Sequence, residues 1–380
     1  MAKQIIRKTA RSIIVTLNIL AGLCFLFSCY GNSICNGKFW FLGLLSSAGF
    51  YLLIINLLFL VFWLFIKPFR SLLSFIVLII CWSPIKEIFP LHIKNEFLFN
   101  KKNDAIRVMS WNVELFNILE YKSHPEKKVQ MFELINQINP DIVCFQEMVA
   151  GDSLSKCINN IAEFPNKIGL KNFYYSFNPM FDFDTKHHFG MIIFSKFPII
   201  RKETVTLNPY NYNSTFQYID IVKNNDTFRV VNIHLQTLRL SEHNRIYLNH
   251  PSMSDENDII ESKNILSKYK IGIVNRHMQS DFIKKNLSES PYPVILCGDF
   301  NDVPNSYAYN TIGEGMLNAF TEKGFGVGKT FGGISPSLRI DNIFVDKRFE
   351  ILQYVRIEKK LSDHFPITAD LLYHQKNTEN

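Results

Sequence analysis

Cysteine is scarce in this sequence and forms no pattern typical of a metal site. The chain has 7 cysteines among 380 residues. Four lie in or beside long apolar runs and three lie further along the chain: Cys24, Cys29, Cys35 and Cys81, then Cys144, Cys157 and Cys297. This spacing argues against a cysteine-based metal site. Cys144 and Cys297 sit inside strand-like apolar runs, so both are predicted to be core thiols.

Net charge is also absent, but only beyond residue 100. Residues 1–100 carry nine Lys or Arg against two acids, and residues 101–380 carry 32 against 32. The +7 excess of the whole chain therefore belongs to its N-terminal quarter. A strongly basic domain would have indicated nonspecific nucleic-acid binding, which depends on phosphate neutralisation and counterion release. The balanced C-terminal region gives no such indication.

The N-terminal quarter is rich in uncharged apolar sequence. Two long runs and a third of 15 residues between Arg70 and Lys86 give three candidate helices, at about 12–30, 39–66 and 69–85. The first two are near or above the ~20 residues that a spanning helix requires, whereas the third can span or lie in the interface. The basic start resembles a signal peptide, but no small-residue cleavage site follows. We predict a membrane anchor over 1–93, with two or three transmembrane helices, and a linker over 94–104.

Positive charges beside these runs predict the orientation of the anchor. Lys or Arg occurs before the first run, after the second and once in the hairpin between them: Lys3, Arg7, Lys8 and Arg11, then Lys67 and Arg70, then Lys38. Because cytoplasmic flanks are enriched in Lys and Arg, the N-terminus is predicted to lie inside. A domain after two spans would be cytoplasmic, and after three extracytoplasmic. We favour three, which predicts a multi-pass protein of a bacterial inner (cytoplasmic) membrane with a periplasmic domain.

Beyond residue 101 the pattern is that of one α/β domain without repeats or low-complexity tracts. Seven segments rich in β-branched and aromatic residues are predicted strands: IRVMSWNV, DIVCFQE, FGMIIFSK, FRVVNIHL, PVILCGDF, LRIDNIFV and FPITADLLY. Apolar residues recur every third position over 129–138, which predicts a helix packed on a sheet. Residues 258–287 are also predicted to be mostly helical. The polar segment 239–257 is predicted to be an irregular surface excursion.

Polar residues interrupt the apolar runs near their edges. They are Asn112, Glu147, His234, Asp299, Asn301, Asp341, Asp363 and His364. Burying an unpaired carboxylate is costly, so such groups must be paired, hydrogen-bonded or bound to a cation. Carboxylate and amide oxygens suit a hard cation such as Mg²⁺. The sequence therefore predicts a magnesium site at strand ends.

The order of the motifs along the chain is stronger evidence for function than any single motif. A lone SDH or NxH is more often a loop cap or a satisfied histidine, but SWNV, QE, GxxxFSK, NIHL, GDFND, RID and SDHFP follow one another over about 260 residues. On these residues the region 105–373 resembles the endonuclease/exonuclease/phosphatase superfamily, which includes DNase I-like nucleases, apurinic endonucleases, neutral sphingomyelinases and inositol polyphosphate phosphatases. The resemblance implies a four-layer α/β sandwich with its active site at one edge. Residues 374–380 remain as a polar tail.

The resemblance also implies which residues hold a metal. Glu147 matches the glutamate of the QE motif and would be the principal Mg²⁺ ligand, with Mn²⁺ as a substitute. Asn112 of WNV would lie beside it and orient metal or phosphate. Asp363 of SDH would lie near the metal.

Five further residues would carry the reaction. Asp299 of GDFN matches the aspartate that holds and deprotonates the attacking water, and Asn301 matches the amide that positions water or phosphate. His364 would bind the scissile phosphate, with its imidazole oriented by Asp341. His234 of NIHL matches a second phosphate-contacting histidine. Asp341 beside His364 would favour the charged imidazole.

Two functional interpretations stay open at this point. The first is a membrane-anchored Mg²⁺-dependent phosphoesterase, and the second is a catalytically silent, membrane-tethered binding module on the same fold. The enzyme is favoured because no expected catalytic residue is missing. Its substrate is a nucleic acid, a phospholipid headgroup or a small phosphodiester, and no obligate protein partner is evident. Local nucleic-acid binding would need a basic patch, for which the candidates are Lys268, Lys270, Arg276, Lys284 and Lys285.

Overall fold

The protein is described from a computed structural model. The described residues are 2–34, 39–92, 96–151, 159–179, 182, 186–206, 215–238, 240–249, 256–333 and 335–375. Parts of the predicted linker (residues 94 and 95), of the polar tail (376–380) and of the surface excursion (239 and 250–255) lie outside these ranges, as do Cys35 and Cys157.

The described α-helices number eleven. They are α1 (Ala2–Tyr30), α2 (Phe41–Ser47), α3 (Gly49–Ile66), α4 (Pro68–Ile80), α5 (Trp82–Ile88), α6 (Pro125–Ile138), α7 (Phe164–Lys167), α8 (Glu242–Asn249), α9 (Glu256–Ser288), α10 (Tyr307–Gly313) and α11 (Ala319–Lys323). Twelve strands are described. They are β1 (Ile106–Asn112), β2 (Ile142–Gly151), β3 (Asn172–Phe177), β4 (His187–Ser195), β5 (Ile199–Thr206), β6 (Thr215–Lys223), β7 (Asp226–His234), β8 (Val294–Asp299), β9 (Met316–Asn318), β10 (Asp341–Asp346), β11 (Phe349–Arg356) and β12 (Ile367–Tyr373).

Two helices, Gln4–Tyr30 within α1 and Gly49–Ile66 (α3), are long and apolar enough to cross a membrane. The second predicted helix, 39–66, is divided in the structure: α2 ends at Ser47 and α3 begins at Gly49. The third predicted helix is not straight. It consists of α4 and α5, which meet at a bend of 70°. Pro84 in the first turn of α5 explains the bend, since proline cannot donate a helical hydrogen bond to the preceding turn.

Buried polar contacts hold α1, α3 and α4 side by side. Asn18 Nδ2 donates to Ser74 Oγ over 2.8 Å, and Trp63 Nε1 donates to Asn18 Oδ1 over 3.1 Å. Near the other end of α4, Tyr30 OH donates to the Ile80 carbonyl over 2.6 Å. The C-terminal ends of α1 and α4 therefore lie together, and α4 runs in the direction of α1.

The rest of the chain forms two six-stranded mixed sheets. Their strand orders are β11-β12-β1-β2-β4-β3 and β5-β6-β7-β8-β10-β9. Each contains one parallel pair, β1 with β2 and β7 with β8. Apolar residues of both inner faces form one core, which includes Cys144 and Cys297 as buried thiols. α6 covers the first sheet and α9 and α10 cover the second. The predicted four-layer α/β sandwich is confirmed.

The seven predicted strands are present, and the sequence analysis missed β3, β5, β6, β9 and β11. β3 and β5 are only partly buried along their length, so their sequences lack the continuous apolar runs of the central strands. The predicted surface excursion was wrong in part, because it contains α8. Ser241 and Asn244 exchange hydrogen bonds of 2.9 and 3.1 Å at the start of α8, which is a capping arrangement.

A buried hydrogen-bond network joins the two sheets. Gln146 Nε2, on β2, donates to Asn232 Oδ1, on β7, over 2.7 Å. Asn232 Nδ2 donates in turn to the carbonyls of Phe145 and Ile192 over 2.9 and 3.2 Å. Because Gln146 and Asn232 are both fully buried, each lost partner would leave a desolvated polar group. The network therefore fixes one sheet relative to the other.

We predict that Asn232→Leu lowers the free energy of unfolding by ~3 kcal/mol, because two carbonyls and Gln146 lose their partner in a dry core. For a domain of this size the melting temperature should fall by about 6–12 °C. Thermal unfolding of the full chain in detergent measures this. The control is Asn136→Leu, the same substitution at an exposed position of α6. An equal melting temperature for Asn232→Leu and wild type would contradict the role of the network.

Candidate active site

Four of the predicted site residues come together because two parallel strand pairs end at the same edge of the sandwich. Asn112 ends β1 and lies beside Gln146 of β2, whose next residue is Glu147. In the second sheet His234 ends β7 and lies beside Asp299 at the end of β8. Asn112 Nδ2 donates to Asp299 Oδ2 over 3.2 Å, which links the two sheets at this edge.

A β-bulge turns Glu147 toward the site. The pairing of β2 with β4 shifts between Phe145 and Met148, so that Gln146 and Glu147 together face Met191. Glu147 has a φ of 54°, a left-handed conformation that is costly for a non-glycine residue. Bulges of this kind re-aim side chains next to active sites. If the side chains of β2 alternated strictly between the two faces of the sheet, the Glu147 carboxylate would therefore not point toward the site.

The glycine of the GDFN motif allows the two strands of the second sheet to approach. Gly298 lies beside Ile233 in the parallel pair β7 and β8 and has a φ of 152°. A Cβ atom at this position would lie 2.1 Å from the Ile233 carbonyl oxygen. Any other residue would push β8 away, and with it Asp299.

Asp299 lies where the polar side chains converge. Its Oδ2 is 3.6 Å from His234 Nε2 and 3.7 Å from His364 Nε2. Its Oδ1 accepts a 2.8 Å hydrogen bond from the backbone N–H of Asn301. Asn301 has a φ of 49° and its Nδ2 donates to the Leu235 carbonyl over 3.0 Å. The loop after β8 is therefore folded around the Asp299 carboxylate.

His364 is held by contacts to its ring and to its backbone. Its Nδ1 is 2.8 Å from Asp341 Oδ2, and its backbone carbonyl accepts a 3.0 Å hydrogen bond from Trp111 Nε1. Phe331 packs edge-on against the imidazole at 5.0 Å between ring centres. Asp341 itself is placed by Thr330, whose hydroxyl accepts from the Asp341 N–H over 3.1 Å. These contacts orient the imidazole so that its Nε2 points toward Asp299.

Burial and neighbouring charges shift the protonation of these groups. Burial raises the pKa of Asp299 to about 6, and Asp341 adds to the rise while the two histidines oppose it. For His364 burial favours the neutral ring, but the carboxylates of Asp341 and Asp299 outweigh it and hold the pKa well above its usual value. Burial lowers the pKa of His234. At neutral pH the geometry therefore favours an ionised Asp299, a charged His364 and a neutral His234.

Acidic groups on the solvent side of Asn112 form the rest of the site. Glu147 Oε1 is 3.6 Å from His234 Nε2, and Asp363 Oδ1 is 4.0 Å from His364 Nε2. Glu114 Oε2 accepts a 3.0 Å hydrogen bond from the Asp363 N–H, and the Glu114 N–H donates to Asn112 Oδ1 over 3.2 Å. Burial raises the pKa of Glu114, and the negative charges of Asp363 and Glu147 raise it further.

Sequence analysis missed Glu114. It lies two residues after Asn112 in a stretch, Glu114 to Asn117, in which every φ is between 44° and 64°. Non-glycine residues in this conformation are strained, and such strain is concentrated at functional sites. The left-handed turn brings Glu114 back toward Asp363. No short-range pattern in WNVELFN indicates such a turn.

Sequence analysis also missed Arg339, which links the segment before Asp341 to the N-terminal helices. Arg339 is fully buried, packs over the ring of Phe320 at 4.2 Å and donates to the Glu87 carbonyl of α5. Glu87 Oε2 accepts hydrogen bonds from Tyr309 OH (2.5 Å) and Thr321 Oγ1 (2.9 Å). The segment that leads into Asp341 is therefore packed against α5.

Comparison with known proteins agrees with this geometry. Residues 109–364, more than half of the chain, match the Endonuclease/Exonuclease/phosphatase family. The chain belongs to that family. Residues 11–88 match a separate domain family of unknown function. No curated protein matches the chain.

Several solved structures share the fold of this family member. The human Nocturnin catalytic domain, solved with a bound sulfate anion, has a TM-score of 0.51 at 16% identity over 72% of this chain and 97% of its own. A family protein from Bacteroides thetaiotaomicron has a TM-score of 0.51 at 15% identity over 72% and 100%. One from Bacteroides vulgatus has a TM-score of 0.50 at 18% identity over 71% and 99%. At these identities the likeness concerns the fold.

All eight predicted site residues lie at the catalytic edge, which we define as the edge of the sandwich that carries Asp299. The hydrogen bonds and short distances above join seven of them directly to Asp299 or to a histidine beside it. They are Asn112, Glu147, His234, Asn301, Asp341, Asp363 and His364. Their chemical roles remain predictions.

We predict that Asp341→Asn lowers the pKa of His364, because the imidazolium loses the nearest negative charge while its burial is unchanged. The expected sign is a shift of the His364 titration to lower pH. NMR titration of histidine-labelled full chain in detergent, with EDTA present, measures it without interference from a cation. Asp346→Asn, elsewhere on β10, is the control. An unchanged His364 titration in Asp341→Asn would contradict the electrostatic pairing.

Proposed function

We propose that the protein is a divalent-cation-dependent phosphoesterase, with Mg²⁺ as the cation expected. One observation carries the proposal: the Asp299 carboxylate lies between His234, His364 and Asn112 at an edge that is also lined by acidic groups. Family members hydrolyse phosphoester bonds, and this arrangement supplies an acceptor for a water proton next to donors for phosphate oxygens.

Asp299 is the proposed proton acceptor. Its Oδ1 is engaged by the Asn301 N–H, whereas Oδ2 faces the histidines and is the oxygen that would take the proton of an attacking water. A pKa raised by burial makes this carboxylate a better base than an exposed aspartate while leaving it ionised at neutral pH. Asn301, in the loop after β8, is proposed to hold the water or a phosphate oxygen.

The two histidines are proposed to contact the phosphate. His364, charged through its pairing with Asp341, would donate from Nε2 to a non-bridging oxygen and stabilise the negative charge that develops there. Asp341 is a positioning residue in this scheme because it contacts the imidazole and not the substrate. His234, with its lowered pKa, would donate from a neutral ring.

The residues present fit a hard cation. Glu147, Asn112 and Asp363 would hold it, with Glu114 beside them, and all offer oxygen atoms. Bound there, the cation would neutralise charge on the phosphate and orient the ester. Ligand atoms of Asp299, Asp341 and His364 also lie within 4.8 Å of one another. We favour the first group, because Asp341 and His364 are occupied by their mutual 2.8 Å contact.

We predict that Glu147→Gln lowers phosphodiester hydrolysis by roughly 10³-fold, because the amide keeps the shape but removes the charge that holds the cation. The measurement is hydrolysis of a generic bis-ester by the full chain, with Mg²⁺ and with excess EDTA. The control is Glu133→Gln, an exposed position on α6.

The alternative is a silent binding module on the same fold, which predicts no hydrolysis by wild type at any Mg²⁺ concentration. Full activity in excess EDTA would contradict cation dependence instead. The two results are distinguishable, since the first shows no turnover and the second shows turnover that chelation leaves unchanged.

We propose further that α1, α3 and the bent pair α4 and α5 anchor the protein in a bacterial inner membrane. The basic N-terminus of α1 lies on the same side of the helix group as Lys67, between α3 and α4, and Arg70, in the first turn of α4. α4 then returns toward the end of α1 at Tyr30, and the catalytic domain follows. α4 rises only ~20 Å, so the bilayer would thin locally or α5 would complete the crossing. This supports a domain outside the cytoplasm.

Fusion reporters test this orientation. We predict that alkaline phosphatase fused after residue 375 is active and that GFP fused there is dark, because the end of the domain lies outside the cytoplasm. The matched control is the same pair of fusions after Lys67, where the opposite result is expected. A bright GFP and an inactive phosphatase at residue 375 would place the domain inside.

The substrate within the phosphoester class is proposed to be small or membrane-borne rather than long duplex nucleic acid. The candidate basic patch on α9 does not form one continuous surface. Arg276 is buried and its Nε donates to Asp302 Oδ2 over 3.0 Å, and Lys284 Nζ donates to the Glu314 carbonyl over 2.6 Å. Without a charged track, binding to a polyanion gains little from counterion release.

A further inference from the structure

We propose that one face of α9 rests on the surface of the membrane that holds the anchor and thereby turns the catalytic edge toward the bilayer. This α9 outer face is defined by Ile259, Ile260, Lys263, Leu266, Lys270 and Ile271. The occupant is the leaflet surface with its anionic lipid headgroups. The inference rests on the proposed membrane anchoring, and it extends the proposed function by naming where the substrate is met.

The α9 outer face carries four exposed apolar side chains. Ile259, Ile260, Leu266 and Ile271 have relative exposures of 49, 50, 46 and 56%. The helical repeat places residues 259, 263, 266 and 270 on one side of the helix, and residues 260 and 271 about a quarter-turn from them. Exposed apolar residues grouped in this way mark an interaction surface. The interleaved Lys263 and Lys270 suit a partner with an apolar boundary and negative charge.

The opposite side of α9 is fixed in the domain, so the outer face cannot rotate inward. Arg276 Nε donates to Asp302 over 3.0 Å and its Nη1 donates to the Gln236 carbonyl over 3.0 Å. Ile265 and Ile283 are buried on the same side. Gly272 lies against Leu238, where a Cβ would be 2.8 Å from Leu238 Cδ2.

The outer face is continuous with the anchor. Ile273 packs on Gly43 of α2, where a Cβ would lie 2.9 Å from Ile273 Cδ1. Lys270 Nζ lies 5.9 Å from the ring centre of Trp40, at the start of the second apolar run. Trp40 directly precedes α2, ahead of the candidate span α3, and tryptophan is enriched at membrane interfaces. These contacts fix the middle of α9 at the level where the apolar run begins.

A second contact with the anchor leads directly to the site. Tyr51, on the first turn of α3, hydrogen-bonds to Ser335 Oγ over 2.7 Å. Three residues before Ser335, the Gly332 N–H donates to the Asp363 carbonyl over 2.6 Å, and Phe331 packs on His364. The loop between β9 and β10 thus touches the anchor and the catalytic histidine. This contact with the anchor is therefore made by a loop that also lies at the catalytic edge.

The consequence for substrate is that a phosphoester presented at the membrane surface, such as a phospholipid headgroup, meets the site without leaving the bilayer. A soluble ester would have to diffuse into a site that faces the membrane. Loss of the outer face should therefore affect the two kinds of ester differently.

The first experiment measures membrane contact without using activity. A fluorescent unnatural amino acid is placed at Leu266 or Ile271 of the full chain in nanodiscs that contain anionic phospholipid and nitroxide-labelled lipid. We expect quenching at these sites to exceed that at a control site by roughly fivefold or more, because an interfacial helix face is buried in the headgroup region. The control site is Val129 of α6, which is equally exposed (54%).

Two outcomes of this experiment would overturn the proposal. Quenching at Leu266 and Ile271 equal to that at Val129 would show that the face is free of the bilayer. A blue-shifted emission that persists in detergent with no quenching in nanodiscs would show that a protein surface covers it instead.

The second experiment tests the substrate. In Leu266→Asp with Ile271→Asp, hydrolysis of a phospholipid in vesicles should fall by about tenfold, because charge opposes interfacial binding, while hydrolysis of a soluble bis-ester stays unchanged. Val129→Asp is the control for added charge. Equal rates of lipid hydrolysis in wild type and the double variant would contradict the proposal. If wild type hydrolyses neither ester, the proposed function fails, and the quenching result still decides whether the face meets the membrane.

Discussion

The hydrogen bond between Gln146 and Asn232 holds the two sheets in one relative position, and the geometry of the site depends on that position. Each sheet contributes one parallel strand pair to the catalytic edge, and neither pair alone has a complete set of functional groups. Asn112 and Glu147 come from one sheet and His234 and Asp299 from the other. A buried amide network is a strong restraint on this position, because relative movement of the sheets would leave polar groups without hydrogen-bond partners in a dry core.

Charge in the site is arranged by burial as much as by contact. Asp299, His234 and His364 are all almost completely buried, so their mutual interactions are little screened by water. His364 gains its positive charge through its contact with Asp341, whereas burial lowers the pKa of His234 and favours its neutral ring. Two histidines in one site thereby acquire different protonation states. The acids nearer solvent, Glu147 and Glu114, can interact with a cation at a lower desolvation cost than Asp299.

The N-terminal helices pack on the two-sheet domain as well as preceding it. The Glu87 carbonyl of α5 accepts a hydrogen bond from Arg339. The Glu87 side chain accepts hydrogen bonds from Tyr309 and Thr321. Asn305, four residues after Asn301, donates to the Pro84 carbonyl over 3.1 Å. The segments on both sides of the site therefore pack against α5. Without α5, Arg339 would lose its carbonyl partner and these loops would lose part of their packing.

Much of the fold was predictable because the central strands are continuous apolar runs, whose burial on both faces needs no knowledge of their neighbours. The strand-end residues were predictable for the same reason, since a carboxylate that ends a buried strand requires a partner or a cation. β3 and β5 were missed because their residues are only partly buried, and α8 was missed because its sequence is polar.

The sequence by itself determined eight of the polar residues at this edge, because the ordered motifs contain Asn112, Glu147, His234, Asp299, Asn301, Asp341, Asp363 and His364. Only the tertiary structure decided how these residues act on one another. The bulge that aims Glu147, the left-handed turn that returns Glu114 to Asp363, and the packing of Arg339 on α5 all depend on contacts between residues far apart in the chain. Local sequence cannot encode them, because positive φ values and buried ion contacts are stabilised by the surrounding fold and not by neighbouring residues.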